Sequence, residues 1–294
     1  PAVNPVSIEG NDWLVSVSSW SGVYNGKVQV PYIEVINPTT TQVADVIVKF
    51  TEETEAKNVG TYHVYAEGVE ENGYTGTRTV ATSEYTITPA TPNKDNLSVA
   101  ISGNATYNGD TKPTVVVTDK LSGAVIPASL YDVAVTSGAV GSYTKDNVTV
   151  TLKANAGNVV NNFVAGVVPA ECVSGSYTVS ALDLSKLGEK YTVNVNDKKT
   201  NVNVEADDIT FTDKSTGAVL AYNKVIPAGV TIVTSDNKTV GTGKVTLKVT
   251  NPKDTNIVGE FSTSFNVVNA TVTKADVAVA AGTKIGTTTF AKKT

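Results

Sequence analysis

The sequence predicts an all-β chain in which three β-sandwiches follow one another. The prediction rests on short alternating apolar and polar runs, separated by Gly, Pro and Asn turns, and on motifs that the chain repeats. Tyr24–Gly26, followed by Pro31, returns as Tyr107–Gly109, followed by Pro113, 83 residues further on (107 − 24). One small β-sandwich has about this size.

A second pair of motifs extends the repetition towards the C-terminal part of the chain. Thr118–Lys120 and Gly123–Val125 return as Thr212–Lys214 and Gly217–Val219, 94 residues further on (212 − 118). At 294 residues the chain has room for three units of about 100 residues. We therefore expect a first repeat (residues 1–91), a second repeat (92–181), a third repeat (182–270) and a terminal strand or the start of a further repeat (271–294).

Each repeat is expected to consist of short strands joined by turns. The first repeat alternates from Trp13 and again from Gly60, and residues 28–36 are apolar and β-branched. Asn37-Pro38 has turn chemistry, because proline restricts φ and asparagine bonds its own backbone. The strands predicted in the first repeat are 13–18, 28–36, 43–50, 60–67 and 84–88. Those predicted in the second are 97–101, 115–118, 131–136, 148–154 and 176–179, and those in the third are 191–195, 202–204 and 265–268.

The connections and the third repeat carry further signals. Pro89 and Pro92 predict a short, semi-rigid link between the first two repeats. The third repeat opens without a Tyr-Asn-Gly turn, but its later half agrees with the first, since Val240–Thr242 matches Val59–Thr61. We also expect the rings of Tyr24 and Tyr107 to pack on their own repeats, with their hydroxyls hydrogen-bonded.

Composition and charge exclude several classes of protein. Hydrophobic residues make up 40% of the chain and charged residues 17%, which is enough to build cores, and the net charge is −5. This mild negative charge disfavours a nucleic-acid or anionic-membrane partner. The sequence shows neither an apolar run of about 18 residues nor a basic start followed by an apolar stretch. We expect a soluble chain, either a mature form or an excised fragment.

Sulfur usage points to an exported protein. The chain has no Met and one Cys among many Thr, Val, Asn and Gly residues, a composition associated with bacterial surface proteins. Cys172 has no second cysteine to pair with, so core burial must hold the fold together. We expect Cys172 to be a small apolar filler at a half-buried strand edge rather than a reactive thiol.

Several motifs together resemble a known repeat family. The Tyr-Asn-Gly-Lys turn with a later Pro, Val59–Tyr62, Asn72–Thr77 and Glu84–Pro89 are similar to the MBG-type bacterial immunoglobulin-like repeats. The resemblance is closest over residues 20–90, moderate over 95–180 and partial over 195–270. It implies three tandem immunoglobulin-like β-sandwich domains in an elongated array and a structural or adhesive role in a large exported protein. The family supplies no catalytic residues.

Residues that could carry catalysis are scarce. His63 is the only histidine, so a Ser-His-Asp site or a multi-histidine metal site cannot be built within one chain. It alternates with its neighbours in a strand and is expected to be a partly exposed sheet residue. The glycines fall singly at turns and form no phosphate loop. We predict no catalytic residues and no enzyme, although two acids would suffice for a glycosidase.

Two groups of residues are candidates for a ligand site. The carboxylates of Asp207-Asp208 and of Glu52, Glu53 and Glu55 could hold Ca²⁺ between modules, but their spacing is not that of a calcium loop. We therefore predict solvated acidic turns, no metal site and no cofactor. Trp13 and Trp20 are candidate ligand-binding residues, because exposed aromatic rings stack on sugars. The alternative is one core and one rim tryptophan, since an odd spacing on a continuous strand places the rings on opposite faces.

These observations leave two leading functions. The first is a non-enzymatic structural or adhesive array, such as a stalk, surface-layer or fibre segment on the bacterial cell surface. Its partners would be other copies of the chain or neighbouring surface proteins. The second is a carbohydrate-binding module that docks polysaccharide through Trp13 and Trp20. Decoration of a virion surface by immunoglobulin-like domains is a further alternative to the first.

Overall fold

The regular structure of the fold consists mainly of short β-strands. The computed structural model describes residues 4–17, 21–52 and 54–269, only the backbone at 80–83, and only the backbone at 284–285 and 288–289. Strand accounts for 50% of the described residues and helix for 10%, and each helix among them is a turn of three or four residues. The all-β prediction is confirmed. The assignment of three immunoglobulin-like domains stays a prediction.

The chain divides into two compact units. One unit contains the chain up to Ala105 together with Lys112–Thr178, and the other contains Thr106–Thr111 together with the chain from Val179 onwards. The first and second repeats therefore share one unit, while the third repeat is in the other unit with the Tyr107 turn.

The first repeat contains two main sheets. A three-stranded sheet has the order β2-β4-β5 and a four-stranded sheet has the order β3-β9-β7-β6. Strand β3 pairs with β9 in parallel, whereas β2 and β4 pair antiparallel. The strands are β1 (Val6–Ser7), β2 (Leu14–Val17), β3 (Ser21–Val23), β4 (Ile33–Asn37), β5 (Gln42–Ala44), β6 (Val46–Phe50), β7 (Gly60–Gly68), β8 (Tyr74–Thr75) and β9 (Thr77–Thr88).

The second repeat distributes its strands differently. Its larger sheet has the order β11-β17-β10-β12, with β14 also on β17, and the smaller sheet has the order β13-β15-β16. The strands are β10 (Leu97–Ser102), β11 (Asn104–Thr106), β12 (Thr114–Asp119), β13 (Tyr131–Val135), β14 (Gly141–Thr144), β15 (Val148–Leu152), β16 (Gly166–Val167) and β17 (Val173–Ser180).

The third repeat returns to the topology of the first. Its two sheets have the orders β19-β21-β22 and β20-β26-β24-β23, and β20 pairs with β26 in parallel as β3 pairs with β9. The strands are β18 (Leu182–Asp183), β19 (Tyr191–Val195), β20 (Lys198–Lys199), β21 (Ile209–Asp213), β22 (Val219–Ala221), β23 (Val230–Ser235), β24 (Gly241–Val249), β25 (Ile257–Val258) and β26 (Glu260–Val268). The hairpin β27 (Lys284–Ile285) and β28 (Thr288–Thr289) follows.

Helical turns connect the strands. The α-helical turns are α1 (Leu187–Lys190) and α2 (Tyr222–Val225), and the 3₁₀ turns are Glu70–Asn72, Ala128–Leu130, Lys145–Asn147, Ala170–Cys172, Leu184–Lys186 and Ala206–Asp208. Two predicted strands are corrected. Residues 28–32 are not strand, because Pro31 has no N–H for a ladder, and residues 202–204 follow β20 without joining a sheet.

Each repeat begins with the same short parallel pairing. Strand β1 pairs with β8 and β18 pairs with β25, while Ala90, in the linker just ahead of the second repeat, forms a single bridge with Phe163. The matching hydrogen bonds run from the N–H of Val6 to Gly73, of Ala90 to Asn162 and of Leu182 to Asn256, with lengths of 2.8, 3.0 and 2.9 Å. The leading residue of every repeat is therefore held at an equivalent position.

A hairpin turn also recurs in all three repeats. The Oδ1 atom of Asp119 accepts the N–H of Leu121 at 2.8 Å, and that of Asp213 accepts the N–H of Ser215 at 2.8 Å. In the first repeat Asn37 Oδ1 accepts the N–H of Thr39 at 3.0 Å. The fifth residue of each turn has a positive φ angle, at Thr41, Gly123 and Gly217. The first repeat thus builds this turn with different residues.

We expect Thr41→Gly to stabilise the first repeat. Thr41 has a φ of 61°, which is unfavourable for a β-branched residue, and glycine stands at the equivalent positions. Relief of this strain should outweigh the entropy that glycine loses, for a net gain of about 0.5–1 kcal/mol in unfolding free energy. Thermal denaturation measures the gain. Thr39→Gly in the same turn is the control and should destabilise, because Thr39 has a negative φ.

The second unit is held by a continuous apolar core. Its buried members come from both sheets of the third repeat and from the loops that cover them. They are Leu184, Leu187, Val204, Ile209, Phe211, Ile226, Val245, Leu247, Ile257, Phe265 and Val267. Tyr107, whose turn belongs to this unit, packs against the same cluster.

Candidate functional site

A junction inside the first unit joins the first repeat to the second. Tyr24, in the turn after β3, is buried, and its hydroxyl donates to Asp119 Oδ2 at 2.5 Å. The edge of its ring meets Phe163, with centroids 5.8 Å apart and planes at 73°. Both contacts are with the second repeat, so the tyrosine of one repeat is a docking side chain for the next.

Asp119 is arranged to receive this hydroxyl. The residue is only 4% exposed, and a buried carboxylate needs several hydrogen-bond donors to replace the water that it loses. Its Oδ1 accepts the N–H groups of Leu121 and Ser122 at 2.8 and 3.3 Å, and its Oδ2 accepts the Ser122 hydroxyl at 2.5 Å. The hairpin of the second repeat therefore holds an oxygen in place for Tyr24.

The same contact keeps Tyr24 protonated. Burial raises the pKa of the Tyr24 phenol, and the hydrogen bond to Asp119 raises it further. Both effects disfavour the phenolate, the first by desolvation and the second because the neutral phenol is the donor. Tyr24 is consequently a hydrogen-bond donor throughout the physiological pH range.

Gly26 lies directly against the backbone of the second repeat. It has a φ of 75°, and a Cβ atom placed on it would lie 2.5 Å from the carbonyl carbon and oxygen of Leu121. Real Cβ contacts are not this short, and backbone atoms cannot rotate away as a flexible side chain can. Only glycine fits here, which explains the Tyr-Asn-Gly order of the turn.

A second set of hydrogen bonds forms around Asn162. Its Oδ1 accepts the N–H of Val59 at 2.9 Å, and its Nδ2 donates to Asn58 Oδ1 at 3.0 Å. Its carbonyl accepts the N–H of Ala90, and Ala90 in turn accepts the N–H of Val164 at 2.9 Å. One asparagine thus fixes the linker and the loop of the first repeat together.

A cavity of about 280 Å³ lies at this junction. Tyr24, Asp119 and Asn162 line it together with apolar side chains that include Ile126 and Leu130. The hydroxyl, carboxylate and amide groups are bonded to one another or to nearby backbone. Their arrangement couples two repeats, and it leaves little polar capacity for a ligand.

The prediction that each turn tyrosine packs on its own repeat is wrong. Tyr24 belongs to the first repeat and packs on the second, and Tyr107 belongs to the second repeat and packs against the core of the third. The sequence contained a usable signal, because Tyr-Asn-Gly and Asp-Lys recur together. It did not show that the two motifs of one contact lie in consecutive repeats.

The two tryptophans differ in what the structure describes. Trp13 is 4% exposed, and its ring meets Tyr74 edge-on with centroids 6.0 Å apart. It therefore presents little ring surface for sugar stacking. Trp20 lies outside the described residues, so the carbohydrate site stays a prediction.

Register explains why Trp13 is in the core. Leu97 and Tyr191 pair with Asp119 and Asp213 at the start of the hairpin turn. In the first repeat Leu14 pairs with Ile36, so the preceding residue, Trp13, lies opposite Asn37. Trp13 therefore occupies the position that Leu97 and Tyr191 occupy in the other two repeats. An inward-facing position that takes Leu or Tyr elsewhere takes Trp here.

His63 lies mid-strand on the surface, as the alternation predicts. Its Nδ1 is 2.6 Å from Glu52 Oε1, and its Nε2 is 3.7 Å from Glu84. The hydrogen bond to Glu52 raises the pKa of His63. Desolvation alone would raise the pKa of Glu52, but the bonds from the His63 ring and backbone outweigh it and lower that pKa.

These shifts predict how stability depends on pH. A raised histidine pKa adds stability that is complete below its ordinary value of 6.5 and is lost as pH rises through the folded value. The lowered Glu52 pKa adds stability above 4.5 that is lost in more acidic solution. His63→Gln should therefore lower the melting temperature more at about pH 5.5 than at about pH 8.5. Equal losses at both pH values would contradict the assignment.

The remaining acidic candidates do not gather into a metal site. Asp208 accepts from Lys198 Nζ at 2.7 Å, and Asp207 and Glu55 are exposed. Glu53 lies outside the described residues. Across the part of the chain that the structure describes, no three His, Cys, Asp or Glu side chains come together as ligands could.

Cys172 is more deeply buried than the sequence predicts, and it does not lie on a strand. It ends a 3₁₀ turn and is buried rather than half-buried at a strand edge. Burial raises the pKa of its thiol, and the nearby Glu171 adds to the effect. Neither favours the reactive thiolate.

Neither a membrane-spanning helix nor a known relative assigns a function to the described part of the chain. Within residues 4–17, 21–52 and 54–269, no helix has the length and apolar character required to cross a membrane. Neither a known protein family nor a curated protein matches the sequence. The resemblance to MBG-type repeats accordingly stays a prediction.

Proposed function

We propose that the chain is a non-enzymatic structural or adhesive array of immunoglobulin-like sandwiches that acts outside a bacterial cell. The observation that carries the proposal is the docking of Tyr24 on Asp119 in the next repeat. Loosely joined binding modules do not need a buried hydrogen bond between them. A stalk or fibre segment does, because it must hold its direction over several repeats.

Three further contacts support a stiff connection. Gly26 lets the backbones of two repeats touch, and Asn162 fastens the loop of the first repeat to the linker. Pro89 and Pro92 restrict the linker itself. These features together favour repeats that behave as one body under load, with other copies or neighbouring surface proteins as partners.

The proposal is tested by unfolding the intact chain in denaturant with one probe in each of the first two repeats. Both tryptophans lie in the first repeat, so their fluorescence reports its unfolding. Cys172 is buried in the second repeat, so its reaction with a thiol reagent reports that repeat. We expect the two curves to coincide. Separate midpoints in the wild-type chain would show that the repeats are independent.

A non-enzymatic role is supported by the use of the acids at the junction. Catalysis needs a base tuned near the working pH and a site that excludes solvent. Asp119 is saturated with donors, and the raised pKa of Tyr24 holds its proton. Incubation with starch, mucin and cell-wall glycans should release no new reducing ends. Release that disappears when one Asp or Glu is replaced would overturn this part of the proposal.

A further inference from the structure

The turn that accepts Tyr24 in the second repeat has a counterpart on the first repeat. Residues 37–43 follow the same path as residues 119–125: the side chain of the first residue accepts the N–H groups two and three residues later, at 3.0 and 3.2 Å for Asn37. The positive φ angles also coincide, at 61° for Thr41 and 77° for Gly123. We name residues 37–43 the first hairpin.

The groups around the first hairpin match those around Asp119. Phe163, which contacts the ring of Tyr24, directly follows Asn162. The carbonyl of Asn162 accepts the N–H of Ala90, the residue that leads into the second repeat. In the first repeat Gly73 is that acceptor, and Tyr74 follows it. Tyr74 donates its hydroxyl to the carbonyl of Val43 at 3.1 Å and so lies against the first hairpin. Val43, the counterpart of the cavity-lining Val125, is 50% exposed.

The chain also approaches both repeats by the same route. Pro89 precedes Ala90, which bridges to Phe163, and Pro5 precedes Val6, which pairs with Tyr74. A repeat joined ahead of Pro5 would therefore meet the first repeat as the first repeat meets the second. Its Tyr-Asn-Gly turn would face the first hairpin.

We propose that the first hairpin is a docking surface for the Tyr-Asn-Gly turn of an immunoglobulin-like repeat joined ahead of Pro5, an inference that rests on the proposed array. Asn37 Oδ1 accepts the backbone N–H groups of its turn as Asp119 Oδ1 does, so Asn37 Nδ2 stands where Asp119 Oδ2 accepts Tyr24 and would donate to the tyrosine hydroxyl. The tyrosine ring would meet Tyr74, and its glycine would lie on the backbone of Thr39. The group that faces the tyrosine is a neutral amide instead of the carboxylate of Asp119. The bond is consequently weaker than the one at Tyr24, because charge-assisted bonds are about twice as strong.

The test extends the chain with a copy of its own first repeat. A second copy of residues 1–88 is placed in front, with Thr88 of the copy joined directly to Pro5, which reproduces the Thr88-Pro89-Ala90 connection. Hydrogen exchange of the amides in the first hairpin of the original repeat is then followed by mass spectrometry. We expect the extension to slow this exchange severalfold relative to the unextended chain.

Two variants decide whether the tyrosine is responsible. Tyr24→Phe in the added copy removes only the hydroxyl and should restore fast exchange. Asn37→Asp in the original repeat supplies a carboxylate and should slow exchange by about a further fivefold, and the unextended Asn37→Asp chain corrects for any effect on the turn itself. An extension that leaves exchange unchanged, or equal protection by the Tyr and Phe copies, would overturn the inference.

The same molecule separates this inference from the proposed function. Val59 donates its N–H to Asn162 at the junction between the first and second repeats, so its exchange reports that junction. Protection of Val59 without protection of the first hairpin would leave the coupled array intact and reject the further docking surface. Loss of protection at both places would reject the two together.

Discussion

Tyr24→Ala is expected to lower the free energy of unfolding by about 3–5 kcal/mol and to separate the unfolding of the first two repeats. The substitution removes a buried ring from its contact with Phe163 and deprives a buried carboxylate of one of its donors. Denaturant titration with tryptophan fluorescence and Cys172 labelling should then give two midpoints. The milder Tyr24→Phe should cost about 1.5–3 kcal/mol, since it removes only a hydrogen bond to a charged group.

Tyr32→Ala provides the matched control. Tyr32 belongs to the same repeat but is 63% exposed, so its removal should change stability by no more than about 0.5 kcal/mol. The denaturation midpoints from tryptophan fluorescence and from Cys172 labelling should coincide in this variant. If Tyr24→Ala behaved like Tyr32→Ala, the docking role of the turn tyrosine would be wrong.

Gly26→Ala is expected to cost about 3 kcal/mol, although it adds a single methyl group. Part of the cost is the left-handed backbone at a φ of 75°. The larger part is the collision with the backbone of Leu121, 2.5 Å from the added carbon, which can be relieved only by moving the two repeats apart. Thermal and denaturant unfolding of the intact chain measure the loss.

Gly123→Ala separates the two contributions. Gly123 has a φ of 77°, but a Cβ atom there would meet nothing within 4 Å. It should therefore cost only the backbone strain of about 1–2 kcal/mol and leave the repeats coupled. Equal losses for Gly26→Ala and Gly123→Ala would mean that the close approach to Leu121 has no energetic consequence.

The strand-rich character of the chain was predictable because alternation and turn residues are local signals. The recurrence of Thr-Asp-Lys and Gly-Ala-Val also located the same hairpin in two repeats. In the first repeat the turn at Asn37-Pro38 was predicted from its own chemistry, but its equivalence to the other two hairpins was not, because Asn37 and Thr41 replace the Asp and Gly of the others. Backbone geometry preserves that turn where residue identity does not.

The missing turn of the third repeat shows the same limit. In each repeat one backbone N–H donates to a carbonyl in the last long strand. The pairs are Tyr24 to Thr88, Tyr107 to Ser180 and Thr200 to Val268. Thr200-Asn201-Val202 therefore occupies the position of Tyr-Asn-Gly, yet only its Asn is shared. Comparison of the repeats detects identical residues, whereas the position of a residue in a sheet depends on pairing with distant strands.

The docking of one repeat on the next could not be read from either repeat alone. The pattern around Tyr24 specifies a turn, and the pattern around Asp119 specifies another turn 95 residues away. Their contact depends on how the linker at Ala90 joins the strands of the second repeat. A contact between residues this far apart cannot be deduced from the alternation of apolar and polar residues, because that alternation predicts only local structure.

The burial of Cys172 has a practical consequence for measuring distances along the chain. Its thiol is shielded and its pKa is raised by that burial, so at neutral pH it should react slowly with maleimide dyes. A cysteine introduced at an exposed position would be labelled selectively without removal of the natural one. Pairs of such sites in the first and second repeats would allow fluorescence energy transfer to follow the angle between them while the chain is stretched.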